Sequence, residues 1–149
     1  YAKLFADEGV DVVLGTHPHV IQPVEWIKGK DHHRTLVAYS LGNFLNGQET
    51  GNESNDLLGR IEFKIMKTPK AVKIENVKWR SMVNYYELSN IYNKNSKVNF
   101  KIYQLKDIDE RLISKHGRNY DPNSEMSKLR LQQITKEVIN ERFLDEDSL

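Results

Sequence analysis

The apolar run Val10-Asp11-Val12-Val13-Leu14, set between Gly9 and Gly15, constrains the fold more than any other stretch. It is short and rich in β-branched residues, the signature of a buried strand. Ahead of it, Ala2, Leu4, Phe5 and Ala6 precede Asp7-Glu8-Gly9, so residues 1–9 predict a short helix ended by glycine. Helix, glycine and buried strand form the αβ half of a doubly wound unit, whose parallel strands are covered on both faces. In such sheets ligand sites lie beyond the carboxyl ends of the strands. Gly15-Thr16-His17-Pro18-His19-Val20 occupies that place.

His17 and His19 are separated by one residue, and in extended backbone side chains at i and i+2 point the same way. Imidazole suits divalent transition metals. The pair therefore faces one ion or straddles two; the plainer alternative is that both rings only hydrogen-bond within a turn. Pro18 fixes its own φ and biases the preceding residue away from helix, which would set the loop between the two rings in advance.

The rest of the chain divides by pattern. Val24–Ile27 and Thr35–Ser40, joined by Lys28-Gly29-Lys30-Asp31, predict a hairpin. Residues 47–55 are polar and aperiodic and predict a mobile surface loop. Ile61, Phe63 and Ile65 alternate with charged residues, and Thr68-Pro69-Lys70 turns the chain, so 57–66 and 71–80 predict an antiparallel pair with a register break near Asn76. Residues 89–99 read as a connector. Leu105, Ile108, Leu112 and Ile113 fit an amphipathic helix ending at Gly117. A longer helix starting near residues 121–125 carries the stripe Leu131, Ile134, Val138 and Ile139, with Phe143 extending it and Asp145 to Leu149 frayed. The organisation expected is a first unit over 1–88 and a connector with helical tail over 89–149.

Composition narrows the function classes. Charged residues make up 29% and hydrophobic residues 38% of the 149, with a net charge of +1. That balance gives no reason to expect nucleic acid or an anionic membrane as a partner. The absence of cysteine excludes disulfides and thiolate metal sites. No apolar run reaches the ~20 residues that span a bilayer, and no signal peptide is visible. The chain opens at Tyr1 within a helical pattern, which predicts that it is part of a longer protein.

Other candidate side chains have two readings each. Asn43, beside Gly42, either reaches the site from a neighbouring strand end, to orient a metal-bound water or a substrate carboxylate, or caps its own loop. Gln22 either supports a histidine from outside the coordination shell or binds backbone. Tyr39, Ser40 and Asp11 read as structural, His32 and His33 as solvated hairpin-tip residues, and His116 as a cation at a helix C-terminus. Trp26, Trp79, Tyr85 and Tyr86 line a polymer groove or form core. Lys64, Lys67, Lys70, Lys73, Lys78 and Arg80 attract a polyanion or simply face solvent.

The segment Asp11-Val-Val-Leu-Gly-Thr-His-Pro-His-Val-Ile-Gln-Pro-Val-Glu25, followed by Ala38-Tyr39-Ser40-Leu41-Gly42-Asn43-Phe44, resembles the C-terminal part of the bacterial CapA proteins of capsule (poly-γ-glutamate) synthesis. That family is similar to the calcineurin-like metallophosphatases, whose closing motif is a Gly-His-x-His that binds a two-metal centre. Thr16 stands between Gly15 and the pair, a departure from the tightest form of that motif that the CapA form accommodates. The resemblance covers roughly residues 1–85.

It implies an α/β fold, the C-terminal part of a calcineurin-like metallophosphatase layered domain, with β-hairpins and a helical tail. It implies His17 and His19 as ligands of divalent metal ions whose other ligands lie upstream, so that the chain alone binds metal poorly and is inactive as a hydrolase. No catalytic residue is singled out. In the complete protein it implies capsule-polymer synthesis or export by metal-assisted hydrolysis, or else a non-catalytic assembly role in a membrane-associated synthase complex. The implied partners are an anionic polymer (poly-γ-glutamate), synthase subunits, the rest of the protein's own N-terminal domain and a second copy. The implied location is the bacterial cell surface or membrane, the chain itself being soluble. Missing upstream strands would also leave a sheet edge open.

Overall fold

The computed structural model describes residues 1–45, 48, 51–69 and 71–149. Parts of the expected polar loop (Asn46, Gly47, Glu49, Thr50) and one of the expected basic positions (Lys70) lie outside the described residues. The chain is mixed α/β, built on two three-stranded sheets.

The first sheet holds β1 (Val12–Leu14), β2 (Val24–Lys28) and β3 (Arg34–Ala38) in the order β1-β3-β2. β1 runs parallel to β3, and β2 and β3 form the expected antiparallel hairpin. Helix α1 (Ala2–Asp7) packs on β2 and β3 with Ala6 fully buried, and Gly9 ends it at φ +78°. One expectation is corrected here. β1 is not covered on both faces, for Leu14 is 52% exposed. The reason is topological: β1 is only three residues long and has one neighbour, so its outer edge is open.

The second sheet has the order β4-β5-β6, antiparallel throughout, with β4 at Leu57–Lys67, β5 at Val72–Leu88 and β6 at Lys97–Gln104. The expected break is present. The register passes from Glu62↔Lys78 to Lys64↔Glu75, two residues against three, with Asn76 at φ +53°. β6 corrects the expected connector. Val98, Phe100 and Ile102 alternate with Lys97, Asn99 and Lys101, a period-two pattern that marks a strand.

A single apolar cluster joins the sheets to the C-terminal segments, running from Ile21, Leu36 and Ala38 through Trp79, Val83 and Leu105 to Leu131, Ile139 and Phe143. Each fully buried large side chain in it stabilises by roughly 1.5–3 kcal/mol. Trp79 and Tyr85 belong to this core and Tyr86 is also buried, so these three form no exposed groove; only Trp26 is half-exposed, beneath the Arg34 guanidinium.

Three further expectations fail for physical reasons. The helix expected over 105–116 shrinks to α2 (Glu110–Ile113), because Leu105 and Ile108 reach the core from the end of β6 and the turn after it. His116 is not a cation closing a helix. It is fully buried, its Nε2 donates to Asn84 O at 3.0 Å, and its Nδ1 accepts from Arg118 N at 3.0 Å. Burial pushes its pKa down, against the pull of Asp56, so the ring is neutral.

The C-terminal residues are not frayed. Ser148 is fully buried, donates to Trp79 O at 2.7 Å and accepts at its carbonyl from Ser81 N, while Asp145 pairs with Arg80 and Lys78. The longer helix, α3 (Lys128–Val138), starts at a Ser127 cap, later than expected, and buries Leu131 and Ile134 as its stripe requires.

Candidate metal corner

The site is built where the two sheets are stitched together. After β3 the chain passes Ser40 and Leu41, which bridges to Ile21, then Gly42, which bridges to Leu58 of β4. Gly59 N also donates to Leu41 O at 2.8 Å. Gly42 sits at φ +78°, and a Cβ there would lie 2.7 Å from Leu57 O, so only glycine passes. Gly15 has a different duty. A Cβ would meet Tyr39 O at 2.1 Å, so the exit of β1 lies hard against the exit of β3. These two close approaches bring Gly15–His19 and Ser40–Asn43 together.

His17 and His19 both follow that exit and are both exposed. Their ring centroids are 6.2 Å apart, tilted by 44°. Both take positive φ, +106° and +61°, conformations that cost a non-glycine residue of order 1–3 kcal/mol each. Strain of this kind persists only where the surroundings over-determine it.

Asn43 is the organising group. It is 6% exposed, and its Nδ2 donates to His19 O (3.1 Å), Asn55 O (3.1 Å) and Gln48 Oε1 (3.2 Å). Those acceptors fix the amide orientation, so Oδ1 faces His19 Nδ1 at 2.6 Å. A carbonyl oxygen cannot donate, so His19 Nδ1 carries a proton, and in the neutral ring the lone pair is on Nε2. Asn43 therefore secures its loop and also contacts His19.

Asn55 is the site residue that the sequence reading missed. Its Nδ2 donates to His19 O at 3.0 Å, and it closes a capping box with Asn52 around the 3₁₀ turn Glu53–Asn55. The Asn-x-x-Asn spacing was the available signal. This turn also corrects the last part of the expected mobile loop, residues 52–55: Glu53 is buried and paired with Arg130, which holds them in place.

The remaining candidates separate from the corner. Gln22 uses its backbone N to donate to Ser40 O at 3.0 Å and makes no hydrogen bond to either histidine among the described residues. Ser40 is fully buried and accepts from Gly42 N. The Tyr39 hydroxyl donates to Glu25, whose charge and hydrogen bond raise the phenol's pKa. His32 is exposed at the hairpin tip, as expected; His33 is not simply solvated, since its Nε2 donates to Val10 O at 3.0 Å. Asp11 serves β3 through its carbonyl, which accepts from Leu36 N.

The donor set can be tested against a metal. Two imidazoles on one tetrahedral ion with bonds near 2.0 Å place their centroids roughly 5 Å apart. The observed spacing is about 1 Å wider, and His17, with no hydrogen bond of its own among the described residues, is the ring free to close it. No group of three or more His, Asp or Glu side chains that could hold an ion occurs among the described residues. The described residues thus offer an ion two imidazoles and no grouped third His, Asp or Glu donor.

A family model described as bacterial capsule synthesis protein PGA_cap matches residues 1–48. The PGA biosynthesis protein CapA of Bacillus subtilis (strain 168) is 43% identical over 47 residues, which are 32% of this chain and 11% of that relative. The capsule biosynthesis protein CapA of Bacillus anthracis is 40% identical over 47 residues, 32% of this chain and 10% of that relative. The matched part thus spans about a tenth of these relatives' length. No solved structure matches. The resemblance to CapA-type capsule biosynthesis proteins is shown over residues 1–48, the segment that carries His17, His19 and Asn43.

Proposed function

We propose that this chain supplies the two-histidine corner of a divalent metal centre in a protein of capsule-polymer (poly-γ-glutamate) biosynthesis or export. The observation that carries the reading is the Asn43 Oδ1 contact to His19 Nδ1 at 2.6 Å, which leaves Nε2 as the ligating nitrogen. The family match over the same residues supports the polymer class. His17 and His19 would hold the ion, with Asn43 and Asn55 fixing the His19 ring and backbone. The remaining ligands would come from outside this chain, as in a calcineurin-like metallophosphatase domain. A divalent ion so held supplies Lewis acidity for hydrolysis of an amide or phosphate centre.

This chain's own part is positional. The strained turn projects both rings into solvent at the mouth of the seam between the sheets. A second reading is a non-catalytic binding or assembly component of a polymer synthase complex.

Calorimetric titration with Mn²⁺ and Zn²⁺ tests the site. The chain binds weakly and His17→Ala/His19→Ala does not bind; equal affinity in both overturns the assignment. In the protein of full family length, two bound ions with turnover of a generic phosphoester support the enzyme. Polymer or partner binding without ions supports the assembly component.

A further inference from the structure

We propose that the outer end of the β4–β5 hairpin docks on an anionic lipid bilayer. The hairpin outruns the core it covers. Phe63 and Ile74 still pack against the apolar cluster, but beyond them Ile65 is 63% exposed, Met66 50% and Val72 38%. The register pairs Ile65 with Ile74 and Lys67 with Val72 on one face, and Met66 with Lys73 on the other. Both faces of the tip therefore show an apolar side chain beside a lysine.

Charge separates this tip from the rest of the hairpin. Lower down, Arg60 and Arg80 pair with Glu62, and Lys78 and Arg80 with Asp145. At the tip, Lys64, Lys67 and Lys73 make no ion pair among the described residues. Over 64–73 the sequence carries four lysines and no carboxylate; Glu75 lies opposite Lys64 across the hairpin at the inner limit of the tip.

A lysine excess beside exposed Ile, Met and Val side chains fits the headgroup region of an anionic membrane. The apolar groups enter the acyl boundary while the lysine stems reach back to phosphate. A polyanion in water would satisfy the lysines but leave Ile65, Met66 and Val72 wet. A second copy would set like charges against each other. The bilayer alone uses both features, and this docking is independent of the metal corner.

Co-sedimentation of the whole chain with vesicles tests it. Vesicles of 30% phosphatidylglycerol in phosphatidylcholine should pellet the protein, pure phosphatidylcholine should not, and 0.5 M salt should release it. Lys64→Gln/Lys67→Gln/Lys73→Gln should weaken binding by about 100-fold, near fivefold per charge. The matching lysine-to-arginine triple variant should retain binding. Ile65→Ser/Met66→Ser should weaken it by about tenfold. All these positions are exposed, so the urea midpoint should stay constant in each variant and separates lost docking from lost fold. Binding that ignores lipid charge, survives the glutamine variant, or is absent from anionic vesicles overturns the proposal. So does full vesicle binding by the serine variant together with displacement by soluble polyglutamate, which would mark a polyanion site instead.

Discussion

The seam at residues 15–55 and the interior around β5 treat polar side chains in opposite ways. At the seam two histidines stand in solvent on strained backbone, and among the described residues one of their ring nitrogens is engaged, His19 Nδ1 with Asn43. Around β5, His116 uses both nitrogens internally, and Arg118 is 3% exposed and bonded to Asp56 at 2.7 Å. The same residue type is a candidate ligand in one place and a structural hydrogen-bond hub in the other. The difference lies in how much of each ring is left uncommitted, which sequence spacing alone does not report.

The largest effect should come from the interior. Asp56→Asn keeps the shape but strands the Arg118 charge, and should cost about 3–5 kcal/mol in urea unfolding. A loss below 1 kcal/mol would mean the pair is not truly desolvated. Asn43→Ala should cost about 2 kcal/mol, since it removes several buried hydrogen bonds. It should also release the His19 proton from Nδ1, a change visible in imidazole ¹⁵N shifts; unchanged shifts would break the tautomer argument.

Next comes pH. Burial lowers the His116 pKa, so the unfolded chain binds the proton more readily than the folded one. Stability from the neutral ring is full above about pH 6.5 and is lost as pH falls below it toward the folded value. His116→Gln should remove that part of the pH profile, while His17→Ala should not.

Asp145→Asn should cost about 1 kcal/mol, a partly exposed charged hydrogen bond to Arg80 being screened by water. The hydrogen bond from Arg80 holds the Asp145 carboxyl below the usual carboxylate range, so this contribution is present at neutral pH and lost as pH falls below about 3.8. The smallest change should be a gain. His17→Gly should stabilise by about 1 kcal/mol by relieving a +106° φ, while weakening Zn²⁺ binding in the same sample. A loss of stability there would show that His17 is held by contacts rather than strained.

Most strands could be read from the chain because their signals are local. The alternation of Ile61, Phe63 and Ile65, the hairpin over 24–40 and the stripe of α3 depend on neighbours a few residues away. What escaped was non-local or ambiguous. Ser148 is anchored to Trp79, 69 positions upstream, through a hydroxyl and a carbonyl that leave no pattern. Gly117 looked like a helix stop, yet it opens a 3₁₀ turn packed on Tyr86. The His17–His19 pair and Asn43 could be picked out by motif. The proton position on His19 required the acceptors at Asn55 and Gln48, which sit in the stretch whose polarity suggested a loose loop.

The two bridges through Leu41 and Gly42 have a mechanical corollary. Asn43 hangs from that stitch, so the hydrogen bond that orients the His19 ring depends on the two sheets staying clasped. A load that pries β4 away from the exit of β3 would unlatch the amide and let the His19 proton migrate to its outer nitrogen. The clasp thus makes the position of the His19 proton an indicator of whether the two halves of the chain are properly shut.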